Sequence, residues 1–148
     1  MPSLGTADLT VKTRVRNDSA APVTVTVSGD IDGAQASFRQ EVTLRAHETK
    51  TVAFTPAGHP RLHLASPRVW WPAGMGGQEL YDLRLTATVS GAVSDTAGQR
   101  FGIREVRAPL DKDGARQYQV NGRPLLIRGG GWSPTSSCDG TARTSRTG

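Results

Sequence analysis

From Val23 to Val27 the chain reads Val-Thr-Val-Thr-Val, and this strict alternation of apolar and polar residues recurs along the first two thirds of the sequence. A period of two sends successive side chains to opposite faces of an extended backbone, so only a strand with one dry and one wet face uses it fully. Asp8 to Arg16 has Leu9, Val11 and Val15 on one face and Thr10, Lys12, Arg14 and Arg16 on the other. Asn17-Asp18-Ser19 then supplies turn chemistry and Pro22 opens the Val23 run, so these two segments read as a hairpin with one wet face.

Gly29, Asp30, Asp32 and Gly33 form a turn cluster, after which Phe38, Gln40, Val42 and Leu44 alternate with Ser37, Arg39, Glu41 and Thr43. In Thr49 to Thr55, Val52 and Phe54 point inward if Lys50 points outward, and Pro56 ends the run because proline cannot donate to a ladder. Pro60 to Leu64 is ambiguous. Leu83, Leu85, Ala87 and Val89 share one face of the next strand, and Ala92 to Ile103 returns antiparallel to it. No segment shows apolar spacings of three and four with caps, so helix is nearly absent. About seven short strands separated by turns at intervals of roughly 8 to 12 residues predict an all-β, immunoglobulin-like β-sandwich of antiparallel strands, without the cysteine pair of antibody domains.

Only 5% of residues are aromatic and the mean hydropathy is −0.40, so the core must be built from Val, Leu, Ile and Ala with a few large side chains at fixed places. Two of those large residues stand in Ser66 to Leu83, SPRVWWPAGMGGQELYDL. Trp70 and Trp71 offer indole faces for sugar stacking. Packing is the stronger reading: adjacent strand residues face opposite ways, so one indole plugs the sandwich while the other covers its edge or meets a neighbouring domain.

The net charge of +5 invites nucleic acid or an anionic surface as partner. Its basic residues are scattered singly over polar strand positions, which predicts no nucleic-acid binding. No run approaches the roughly 18 apolar residues that span a bilayer, which predicts no membrane partner, and the Met1 end lacks the charged and apolar regions of a secretory signal. Cys138 stands alone and leaves the redox compartment unreadable. His47, His59 and His63 show no ligand spacing, so no metal or other cofactor is expected.

After Arg104 the pattern changes. Glu105 to Lys112 is charged and broken by Pro109, as a connection leaving the sandwich would be. Tyr118 to Ile127 reads YQVNGRPLLI, two apolar runs joined by Asn121-Gly122, the strongest short hairpin signal. The continuously apolar Leu125-Leu126-Ile127 suits a strand buried on both sides, and it runs into Arg128-Gly129-Gly130-Gly131-Trp132-Ser133-Pro134. A buried strand ending in a glycine-rich loop is how a (β/α)8 barrel begins. The glycine run lacks the Lys-Ser/Thr pair and the helix of a phosphate-binding loop.

Three separated motifs, VWWPAGMGGQELYDL, FGIREV and VNGRPLLIRGGGWSP, occur in the order found in family 2 of the glycoside hydrolases, and from roughly Ala7 to Pro134 the chain resembles that family, nearest its exo-β-D-glucosaminidase branch. The resemblance implies a sugar-binding jelly roll first, an immunoglobulin-like domain second and a catalytic barrel third, of which this chain holds the second and the opening of the third. It divides the chain into residues 1–105, the sandwich; 106–134, a linker, hairpin and first strand of an incomplete barrel; and 135–148, a tail.

The same resemblance implies a retaining glycosidase with two glutamates on later barrel strands, one nucleophile and one acid/base, with carboxyl groups roughly 5 to 5.5 Å apart. Glu41, Glu48, Glu79 and Glu105 fall in the sandwich or at its exit, so no catalytic residue is expected here and the chain is not expected to act alone. Trp132 is the one candidate substrate-binding residue, lining the sugar pocket of the intact enzyme or else packing at the barrel rim. The implied partner of that enzyme is a chitosan-type carbohydrate, and the implied location is extracellular. The competing class is a free-standing sandwich that binds carbohydrate or protein.

After Pro134 the family continues with an aspartate and an apolar segment, whereas residues 135–148 read TSSCDGTARTSRTG. One synonymous encoding of Ser133 to Gly140, given a single extra C, reads Ser-Pro-Asp-Leu-Phe-Leu-Arg-Trp, the expected continuation. The tail is therefore expected to be a frameshift product, and the encoding nucleotide sequence tests this directly.

Overall fold

The structure, a computed structural model, describes residues 4–127. Trp132, its glycine run and the 135–148 tail lie outside the described residues. The strands are β1 (Thr6–Asp8), β2 (Val11–Arg16), β3 (Val23–Asp32), β4 (Ala36–Leu44), β5 (Thr49–Phe54), β6 (His63–Ala65), β7 (Tyr81–Val89), β8 (Ala92–Phe101), β9 (Val106–Arg107), β10 (Gln119–Val120) and β11 (Arg123–Pro124). A 3-10 turn at Pro60–Leu62 resolves the ambiguous Pro60 segment, and no α-helix occurs among the described residues.

The strands make a β-sandwich. One layer is antiparallel in the order β4-β3-β7-β8, and the other is the pair β2-β5; β1-β6 and β11-β10-β9 are smaller sheets. The alternation explains the core. Val25, Val27 and Ile31 of β3 and Phe38 and Leu44 of β4 are buried, and they meet Val11, Val52 and Phe54 of the facing pair in one cluster. Phe54 is fully buried, with its ring centroid 4.5 Å from that of Phe38 and 5.2 Å from the His59 imidazole. Thr24, Thr26, Ser28 and Asp30 fall on the opposite face of β3, as a period of two requires.

Gly29 sits where this packing leaves no room. Its register partners are Phe38 on β4 and Leu85 on β7, and a Cβ there would overlap the Phe38 ring and stand 2.7 Å from Leu85 Cδ2. The aromatic ring thus covers the gap in the strand that the missing side chain leaves.

One expectation of strand pairing is overturned. The hairpin between the Val11 and Val23 strands does not form: β2 pairs with β5, and β3 pairs with β4 and β7. The intervening segment is an arch between layers, organised by the buried Asn17. Its Nδ2 donates to Ala21 O and Arg45 O at 2.8 Å each, and its Oδ1 accepts the Ser19 N–H at 3.0 Å. Both strands direct valines into the same core from opposite sides, which side-by-side pairing would not allow. Leu125 to Ile127 lies outside every strand, with Leu126 75% and Ile127 58% exposed, because neither edge has the neighbouring strand that a doubly buried strand requires.

The Asn121-Gly122 turn is as expected. Their φ values of 50° and 76° define the type I′ geometry that asparagine and glycine tolerate, and Ser90-Gly91, at 49° and 81°, closes the β7-β8 hairpin in the same way. The charged stretch after Arg104 does more than connect: β9 joins β10 and β11 in a small antiparallel sheet.

Candidate functional site

The tryptophan pair, the chain leaving the sandwich and the Asn121 turn converge at one end of the sandwich. Tyr81 opens β7 and is buried; its hydroxyl oxygen accepts the Arg68 N–H at 2.7 Å. The Arg68 guanidinium lies 5.0 Å from the centroid of the Tyr81 ring and pairs with Glu79 at 2.8 Å, which fixes the chain on both sides of the tryptophans. Trp70 N–H donates to Ile103 O at 2.8 Å, and Trp71 N–H donates to Gly77 O at 2.9 Å. Gly76 lets that loop close, since a Cβ there would stand 2.7 Å from the Trp71 ring.

Neither indole plugs the core. Both are half-buried, each carrying an arginine: Arg104 stands 4.6 Å from the Trp70 ring centroid and Arg123 stands 5.2 Å from that of Trp71. The interior that a tryptophan was expected to fill is taken by Phe38 and Phe54. With a guanidinium group over each indole, the pair packs as a joint.

Asn121 closes the joint. It is 4% exposed, its Nδ2 donates to Trp70 O at 2.9 Å, and its Oδ1 accepts the Glu105 N–H at 2.9 Å. Its own N–H donates to Glu105 O at 2.8 Å, so one side chain and its backbone tie together the tryptophan strap, the exit of the sandwich and the hairpin. The sequence reading gave this residue a turn and nothing more. Its signal was only the asparagine preference of a type I′ turn, which carries no information about a partner 51 residues away.

The other candidates are dispersed. Glu41 is exposed on β4, Glu48 accepts the Arg45 N–H at 2.7 Å, and Glu79 and Glu105 pair with Arg68 and Arg107. Glu105 Oε2 lies buried at the joint with no hydrogen-bond partner among the described residues. His47 adopts a positive φ in the turn before β5, His59 packs on Phe54, and His63 Nδ1 is 2.6 Å from Asp8. Among the described residues no group of three His, Cys, Asp or Glu side chains is placed to hold a metal ion. Such an arrangement can join chain segments.

The sequence profile of the glycosyl hydrolases family 2 matches residues 2–104. The chain belongs to this family. The exo-β-D-glucosaminidase of Streptomyces avermitilis is 69% identical over 134 residues, which cover 90% of this chain and 15% of that enzyme. The Amycolatopsis orientalis enzyme of the same name is 56% identical, over 89% of this chain and 12% of its own length. This family 2 chain therefore spans about one seventh of the length of such relatives. The crystal structure of the Amycolatopsis orientalis exo-chitosanase superposes with a TM-score of 0.74 at 53% identity, covering 88% of this chain and 14% of that one. A Bacteroides uniformis β-glucuronidase of 20% identity still gives a TM-score of 0.72, so the fold persists far beyond the close sequences.

Proposed function

We propose that this chain is the supporting sandwich of an exo-β-D-glucosaminidase-type glycosidase, immunoglobulin-like in its four-strand and two-strand layers, and that it orients a catalytic barrel without doing chemistry itself. The observation that carries this is the joint at Asn121. The segment Tyr118 to Leu125 is closed on itself by the Leu125 N–H donating to Tyr118 O at 2.7 Å and is held to the tryptophan strap and the sandwich exit by the Asn121 bonds. The apolar residues just beyond it are bare, and the unpartnered Glu105 Oε2 lies beside it. Those are the contacts a following domain would complete. Residues 1–105 are then the sandwich and 106–134 the entry to the barrel, with Leu125 to Ile127 becoming its first strand once neighbouring strands surround it.

In that enzyme Trp132 would line the pocket for a chitosan-type substrate, and both catalytic glutamates would come from barrel strands beyond this chain. The identity to the Streptomyces and Amycolatopsis glucosaminidases supports this substrate class. Incubation of the purified chain with an aryl β-D-glucosaminide tests the proposal. No release of phenol above a blank is expected; turnover that copurifies with the chain would overturn it.

A further inference from the structure

The chain contains two asparagines, Asn17 and Asn121, and both are buried. They differ in the residue that follows. Asn17 precedes Asp18, whose side chain shields the next backbone nitrogen, whereas Asn121 precedes Gly122, whose nitrogen has no side chain beside it. Such a nitrogen closes readily on the preceding carboxamide, provided that the carboxamide can swing its Cγ onto it. In the joint it is held: Nδ2 donates to Trp70 O and Oδ1 accepts the Glu105 N–H, at 2.9 Å each, from segments 51 and 16 residues away. The Asn121 N–H donates to Glu105 O at 2.8 Å, which fixes the turn as well.

We propose that Asn121-Gly122 is a self-modifying site that the joint holds shut. When the joint opens, the Gly122 nitrogen gives its proton to solvent and attacks Asn121 Cγ. The N–Cγ bond forms, the Cγ–Nδ2 bond breaks, and Nδ2 takes a proton from water and leaves as ammonia. The cyclic succinimide then adds water. Opening at Cγ gives aspartate at position 121, and opening at the main-chain carbonyl carbon gives isoaspartate, in which the chain runs through Cβ. Nothing is oxidised or reduced, and water is the co-reactant.

Neither product can rebuild the joint. A carboxylate has no donor for Trp70 O, so two acceptors would meet in a buried place where Glu105 Oε2 already lacks a partner among the described residues. Isoaspartate also lengthens the main chain within a two-residue turn. A reversible opening thereby becomes permanent, and the 118–125 segment is released from the tryptophan strap. Nothing in this chemistry depends on the glycosidase reading, so the turnover assay leaves it untouched.

Peptide mapping of the purified 148-residue chain, held at mildly alkaline pH in native buffer and in urea above its unfolding midpoint, tests this. Deamidation is read as the mass gained when an amide becomes an acid; isomerisation at Asp32-Gly33 or Asp113-Gly114 leaves mass unchanged and does not interfere. In urea, Asn121 is expected to convert faster than Asn17, and faster still as pH rises. In native buffer Asn121 is expected to convert at least about tenfold more slowly than in urea, since only the open fraction reacts. Asn121→Asp, a copy of one product, is expected to lose hydrogen-exchange protection at Glu105 and across 118–125 while β3 and β7 keep theirs. Should that variant not fold, wild-type chain aged in native buffer until residue 121 has converted is read in the same way. Equal rates in native buffer and urea would overturn the proposal, as would faster conversion of Asn17 than of Asn121 in urea. Full protection of Glu105 after conversion, or loss of β3 and β7 together with the joint in the aged chain, would overturn it too.

Discussion

Gly29 shows how closely this small core is fitted around single residues. The position faces Phe38 and Leu85 across two strands, and the Phe38 ring is itself held against Phe54, so it cannot swing aside freely. Gly29→Ala is expected to destabilise the chain by about 1 to 3 kcal/mol, the usual cost of overpacking, despite the better strand propensity of alanine. Urea unfolding measures it; an unchanged midpoint would mean that the ring has somewhere to go. Glu48 is a different case, governed by charge. The Arg45 N–H that it accepts, aided by Lys50 at 3.7 Å, outweighs desolvation and holds its carboxyl below the usual carboxylate range. A carboxyl depressed in the folded state stabilises above its unfolded pKa, and that contribution disappears as pH falls through the lower folded value. Tm of the wild type and Glu48→Gln should therefore differ at neutral pH and converge in acid.

At the level of elements, the arch at Asn17 decides which strands become neighbours. Asn17→Ala would take one donor each from Ala21 O and Arg45 O, which keep the Ser19 hydroxyl and the Glu48 N–H, and would strip the Ser19 N–H of its acceptor, a loss of about 1 to 3 kcal/mol readable in the same urea experiment. The arch also marks where sequence reading stops. Alternation identifies faces, and Val25, Val27, Val52 and Phe54 are buried as their parity requires. It does not identify neighbours, because any strand with a dry face can pair with any other. The proximity of the Val11 and Val23 strands along the chain therefore suggested a hairpin, whereas the core needed them in opposite layers. Asn121-Gly122 was legible as a turn, since type I′ geometry is a local property. The bonds from Asn121 to Trp70 and Glu105 were not, since they depend on tertiary placement. The tryptophans were legible as packing residues, and their packing partners were not.

For the whole molecule, the claim is that a sandwich and the chain that follows it are fastened into one unit by the tryptophan joint. The joint spends its aromatic faces on Arg104 and Arg123, and its one buried amide on backbone groups from two distant segments. Under the proposed function that arrangement orients the domain that follows, in a family 2 segment about one seventh the length of its relatives. Native-state hydrogen exchange of the purified chain tests this most directly. The account predicts that the amides of Trp70, Trp71, Glu105 and Asn121 exchange as slowly as those of β3 and β7. It also predicts that Asn121→Ala releases Glu105 and the 118–125 segment while β3 and β7 stay protected. Rapid exchange at all four amides in the wild type, with β3 and β7 still protected, would contradict it.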